Sequence, residues 1–361
     1  MKKLSIVNTN FIPDTRVLLL ENFKQLQLEQ SEAIKAWVAA IAYLIVALLL
    51  GSIPPVTKMV VSQLTPTMLL TVRYTIAVSF FLPWVVKIVL DRWLNLVWKK
   101  PIASKIIFNS NQLSETVEKP PISLKINKTL LRHGCILGLL TYGVNLGCSF
   151  GVQTISANRT SFLFGLCVIF VALFDLLYRK RFSFRVFLAA IFALSGSGLM
   201  SWEQSNEPLI GSLWVLGAVA CESLLLIILE DTADSYDPFL LSLVRLGVVA
   251  LLSLGVSLNQ FSDQLPIIQA NLFPLLYLGA ATAAIAYLVT FALQTLSAVE
   301  AALIQGLEPV FGALISFAVL GEVFGVRCWV GSVLILIGIT LAVLASFGGS
   351  SKKTYLIRED L

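Results

Sequence analysis

Histidine is nearly missing: His133 is the only one in 361 residues, which removes the commonest metal ligand and general base of enzyme sites. Neither HExxH nor GxSxG occurs, so zinc proteolysis and nucleophile-elbow hydrolysis lack their residues. Charge is scarce too, with Asp, Glu, Lys and Arg at 13%, where a soluble domain carries about 25%. The five cysteines (Cys135, Cys148, Cys167, Cys221 and Cys328) lie in or beside apolar runs, with no CxxC pair and no ligand-like spacing to a histidine. Disulfides, a metal and any other cofactor are therefore not expected. Lys2 and Lys3 are followed too soon by Asn, Asp, Arg and Glu for a cleavable signal peptide, so the first apolar run is expected to act as the insertion signal.

What the chain has in excess is long apolar sequence, 57% of it hydrophobic. A bilayer-spanning helix needs about 20 mostly apolar residues, and ten segments approach that: 36–56, 67–90, 134–152, 159–178, 182–202, 208–229, 238–258, 272–294, 298–320 and 326–347. The net charge of +5 is spread between these runs and forms no basic face, so nucleic acid is not an expected partner. With the N-terminus inside, 21 Lys and Arg fall on the inner side and three (Lys58, Arg159, Arg327) outside. Positive charge is retained in the cytoplasm, so both termini are expected there, across a plasma (inner) membrane. Two polar segments flank the runs, 1–35 and 348–361, and a long inner loop, 91–133, holds Trp93 and Trp98 beside basic residues, as a headgroup-level helix or an anchored linker would.

Self-comparison finds a repeat. Residues 137–157, LGLLTYGVNLGCSFGVQTISA, lie over 278–298, LGAATAAIAYLVTFALQTLSA, with eight of 21 positions identical at an offset of 141, and the register continues through Gly165/Gly306, Leu166/Leu307 and Phe170/Phe311. A second match aligns Thr65-Pro66…Arg73 with Asp237-Pro238…Arg245 at an offset of 172. Five spans is an odd number, so the copies run in opposite directions. The expectation is an all-α membrane protein of ten transmembrane helices arranged as two inverted five-helix repeats, 36–202 and 208–347, with a substrate site near the midplane between them.

At these residues the chain resembles the drug/metabolite transporter superfamily, in particular ten-span exporters built from two EamA-type repeats. The most specific stretch is Ala298-Val-Glu-Ala-Ala-Leu-Ile-Gln-Gly-Leu-Glu-Pro309, with Leu320-Gly321-Glu322, Gly331 and Gly338. The first half reads Cys167-Val168 and Arg179-Lys180-Arg181 at the matching places, so the halves are not equivalent. The resemblance implies export of small polar or amphipathic metabolites, amino acids or drugs among them, by alternating access through a central cavity. A channel or a non-transporting membrane scaffold remains the alternative, and a homodimer is left open.

Ionisable groups inside spans are costly and point to function. Glu222 and Arg245 each lie seven residues from the inner ends of their spans, about 10 Å deep at 1.5 Å per residue. An ion pair is expected there, as a gate, a grip on a zwitterion, or a static staple. Glu308 precedes Pro309, which is expected to bend span 9 and turn a carboxylate toward a wet cavity, either to take a proton or an amine or merely as a silent hinge. Arg73 mirrors Arg245 as an outer-gate candidate, and Asp175 is expected to pair at the interface with the Arg179–Arg181 cluster. Gly143, Gly147 and Gly151 form a bare stripe for helix packing. Tyr142, Asn145 and Gln305 are candidates to touch substrate, with interior hydrogen bonding as the plainer reading of each.

Overall fold

In a computed structural model of the chain, residues 15–60, 63–97, 127–155, 160, 163–179, 184–200, 209–320 and 325–348 are described, and every regular element among them is helical. Backbone amides find no water in a bilayer core, so a chain this apolar satisfies them within helices. These are α1 (Thr15–Val60), α2 (Pro66–Val97), α3 (Lys128–Thr154), α4 (Cys167–Arg179), α5 (Phe184–Met200), α6 (Leu209–Ala233), α7 (Pro238–Ser257), α8 (Phe261–Ala270), α9 (Leu272–Ala292), α10 (Ala298–Gln305), α11 (Glu308–Leu320) and α12 (Val326–Gly348). Among the described residues seven stretches are long and apolar enough to cross a membrane, and Leu163–Asp175 and Trp329–Gly338 are shorter apolar helices. Large apolar side chains face outward, including Trp37, Ile41 and Leu44 on α1 and Trp329 and Val333 on α12. Water penalises such a surface and lipid does not. The protein is an all-α integral membrane protein.

The 98–126 part of the long loop, Asn158 and Arg159, Lys180 and Arg181, Gly321 and Glu322, and residues 1–14 and 349–361 lie outside the described residues. Helix α1 passes position 35 without a break; its 46 residues extend about 69 Å at 1.5 Å per residue, twice what a hydrocarbon core needs. A short helix, α8, occupies sequence expected to be only a connection.

Packing partners exchange between the halves as a two-fold operation requires. Helix α3 packs on α6 as α9 packs on α1, α3 on α7 as α9 on α2, and α4 on α6 as α11 on α1, while the α2–α7 and α5–α12 contacts are their own mirror images. The sequence offsets hold at atomic detail. A β-carbon at Gly279 would lie 3.3 Å from the Arg73 carbonyl oxygen and 2.6 Å from Ile76 Cβ; at Gly138 it would lie 3.0 Å from the Arg245 oxygen and 2.6 Å from Val248 Cβ. The absence of a side chain on α9 and on α3 lets α2 and α7 approach closely, in the same register.

The ninth span is broken rather than bent, into α10 and α11, with Leu307 N–H bonding the Ile304 carbonyl at 3.0 Å and Phe311 N–H bonding the Leu307 carbonyl at 3.1 Å. The same break precedes α4: Leu166 N–H bonds Leu163 at 3.0 Å and Phe170 N–H bonds Leu166 at 3.0 Å. Val168 stands there where Pro309 stands in the second half. Proline is therefore not the common cause; the Gly-Leu pair, Gly165-Leu166 and Gly306-Leu307, is what both breaks share.

Helix α7 starts with Pro238 in its first turn and Asp237 as cap, its Oδ1 accepting from the N–H of Phe239 at 2.9 Å and of Leu240 at 3.2 Å. Asp237→Ala is expected to cost about 1 kcal/mol, read as a lower midpoint of thermal unfolding in detergent. The counterpart, Thr65, instead ties the start of α2 to α8 and the helical turn before it: its hydroxyl donates to Gln260 Oε1 at 2.8 Å and its N–H to Gln264 Oε1 at 3.1 Å.

Candidate functional site

Helices α1, α2, α3, α6, α7, α10 and α11 bring the chain's costly polar groups together. Arg245 on α7 is 7% exposed, and its Nε and Nη1 are buried with no hydrogen-bond partner. No carboxylate oxygen among the described residues comes within 4.0 Å of it, so the expected Glu222–Arg245 contact is not made. Equal depth along the membrane normal does not bring two groups together sideways; α6 packs chiefly against α3, and α7 against α2 and α3, rather than against each other. Glu222 is nonetheless the carboxylate whose field acts on the guanidinium, together with the phenols of Tyr74 and Tyr43.

Gln305 closes α10. It is buried, and its Oε1 accepts from the Tyr43 hydroxyl at 3.2 Å. Its amide neighbours both Glu222 and Glu308. Glu308 opens α11 directly after the break, half-buried, in the first turn of the new helix. A carboxylate there is favoured by the helix dipole. The two acids feel each other's charge, and Glu308 and Arg73 both act on Cys148 of α3.

Arg73, half-buried on α2, donates from Nε to the Thr282 hydroxyl on α9, and its guanidinium carbon lies 5.7 Å from the centroid of the Tyr74 ring. Tyr142, half-buried, packs against the buried cluster of Leu70, Tyr74, Ala77, Phe81, Leu246 and Val249. Asn145 Nδ2 donates to the Thr141 carbonyl one turn back at 2.7 Å, and its side chain neighbours Tyr74. Asp175 is buried on α4, while Lys180 and Arg181 of its expected cluster lie outside the described residues. The glycine stripe serves packing: β-carbons at Gly143 and Gly147 would lie 3.2 Å from Cys221 Sγ and 2.7 Å from the Trp214 carbonyl of α6.

Two residues of this constellation escaped the sequence reading. Tyr43 and Tyr74 are 0% and 2% exposed and stand among the charged groups. A tyrosine within an apolar run that ends up fully buried brings a hydroxyl that needs a partner, and that was the available signal. The assembled site holds two carboxylates, a guanidinium with unused donors, two phenols and an amide, drawn from both halves of the chain.

Residues 209–344, the second repeat, match the model of the EamA-like transporter family. No curated protein matches the sequence. A solved structure, a crystal structure of a protein, is similar over 86% of this chain and 98% of its own, with a TM-score of 0.63 at 13% identity, a likeness of fold. Gln305, the break and Glu308-Pro309 all lie inside the matched stretch, so it is the second half of the chain, residues 209–344, that is an EamA-like transporter repeat.

Proposed function

We propose that the protein is a carrier that moves a small polar or amphipathic metabolite out of the cell by alternating access, with both termini cytoplasmic and the two repeats rocking about the site between them. The observation that carries this reading is a buried guanidinium with two unpartnered donors, in the field of Glu222 and of the phenols of Tyr43 and Tyr74, between helices of both repeats. Isolated buried charge is costly and persists where it is used. The family supplies transport as the general activity. The 21-to-3 split of Lys and Arg supports the orientation, in which loops 234–237 and 293–297 are cytoplasmic.

The test is purified protein in liposomes, given a panel of labelled metabolites with and without a pH gradient. Saturable flux stimulated by substrate on the opposite side identifies a carrier. Flux that never saturates identifies a channel, and no flux of any compound points to a scaffold. Glu308 is the proposed proton or amine acceptor. Glu308→Gln is expected to cut gradient-driven net flux about tenfold, equivalent to about 1.4 kcal/mol, while substrate exchange without a gradient survives if the group carries the proton. Loss of both would assign it to substrate binding.

A further inference from the structure

The two offsets that relate the halves make a statement about side chains as well as backbone. Arg73 corresponds to Arg245 at an offset of 172, and Thr141 corresponds to Thr282 at an offset of 141. The backbones around both pairs superpose in kind, since Gly279 meets the Arg73 carbonyl and Ile76 as Gly138 meets the Arg245 carbonyl and Val248. Each threonine hydroxyl also donates to the carbonyl four residues back in its own helix, Thr141 to Leu137 at 2.8 Å and Thr282 to Leu278 at 2.7 Å. One difference remains. Arg73 Nε donates to Thr282, whereas Arg245 Nε is buried and donates to nothing.

We propose that Arg73–Thr282 and Arg245–Thr141 are paired latches used in alternation, one closed in each of the two states of the transport cycle. In this conformation the latch nearer the 60–66 and 258–271 end is closed and the other is open. A symmetric pair of contacts within inverted repeats, made on one side only, is what a molecule captured in one of two mirror-related states displays. The orphaned donors of Arg245 are the cost of that state, recovered when α7 shifts on α3 and Nε reaches Thr141 Oγ1. In that same motion α2 shifts on α9 and Arg73 releases Thr282. Thr141 and Thr282 are thus positioning residues that act through the arginines, and neither needs to touch substrate.

The test is amide hydrogen exchange of the full-length protein in detergent, read on peptides covering 258–271. Thr282→Val removes the acceptor of the closed latch and is expected to raise exchange there about threefold or more, the effect of losing one hydrogen bond. Thr141→Val removes the acceptor of the opposite state and is expected to lower it by a similar factor. Arg73→Gln and Arg245→Gln are expected to repeat the two signs, which covers a valine variant that fails to fold. Thr282→Ser keeps the hydroxyl and is expected to match the wild type. Shifts of the same sign in both valine variants, no shift in either, or a serine variant that behaves like valine would overturn the proposal. It rests on the carrier reading, but the exchange signal needs no substrate. Opposite shifts without flux in any liposome assay would sink the carrier and leave the latch standing.

Discussion

Arg245→Ala is expected to reduce transport to background, a loss of tenfold or more, corresponding to at least about 1.4 kcal/mol, with the amount of protein in the membrane unchanged. The reason is the charge balance of the site. Arg245 is 7% exposed and lies in the field of Glu222, Tyr74 and Tyr43. Removing it leaves Glu222 without the buried cation that acts on it, and a buried charge stripped of compensation is penalised by several kcal/mol, about 3–5 in measured cases. Lysine at this position keeps a charge but loses the planar fork with donors on several edges, so Arg245→Lys is expected to recover part of the activity at most. Glu222→Gln is expected to impair transport in the same direction. Labelled uptake into proteoliposomes, normalised to reconstituted protein, decides it. Wild-type rates in both Arg245→Ala and Glu222→Gln would remove this pair from the mechanism.

The second large effect concerns stability at the crossing of α1 with α11. A β-carbon at Gly51 would sit 2.7 Å from the Gly312 backbone nitrogen and 2.8 Å from the Glu308 carbonyl oxygen. These are backbone atoms, which cannot swing aside, so α1 and α11 must separate. Gly51→Val is expected to destabilise the protein by about 1–3 kcal/mol, seen as a lower unfolding midpoint in detergent. It is also expected to impair transport, since the displaced segment carries Glu308. Gly217 is the control: nothing lies within 4 Å of a β-carbon there. Gly217→Ala, in the interior of α6, is expected to be neutral or to stabilise by up to about 1 kcal/mol. A Gly51→Val protein as stable as the wild type would mean that this crossing is looser than its glycines indicate.

The two tests address features that differ in how far they could be read from residues alone. The α1–α11 crossing has a counterpart between α6 and α4, where the Ser223 hydroxyl bonds the Cys167 carbonyl at 3.4 Å. By the two offsets Ser223 corresponds to Gly51, and Cys167 to Glu308. The repeat therefore foretold the crossing, but nothing in the residues foretold that one copy would be a bare backbone contact and the other a hydrogen bond. The break in span 9 was legible as a position, from Glu308-Pro309, and misread as to cause. Its twin at Leu166 lacks the proline, and a Gly-Leu pair in two places became meaningful only when both backbones were seen to turn there.

Sequence alone determined the solvent of this protein, because long apolar runs with 13% charge have only helices as a way to satisfy their backbone in lipid. It also determined the two-fold relation of the halves, since shared Gly, Thr, Gln and Arg positions survive at constant offsets whatever the packing. It picked out Arg73, Glu222, Arg245, Gln305 and Glu308 because charged and amide groups in such runs are conspicuous by cost. Only the tertiary structure decided which of them meet. A helix gives each residue a depth, but sideways neighbours are set by which helices pack, and α3 takes up α6 and α7 where an ion pair was expected. Tyr43 and Tyr74 entered the site for the same reason, as did the difference between a latched Arg73 and an unlatched Arg245. That last difference belongs to a state of the molecule, and a sequence common to both states cannot encode which one is occupied.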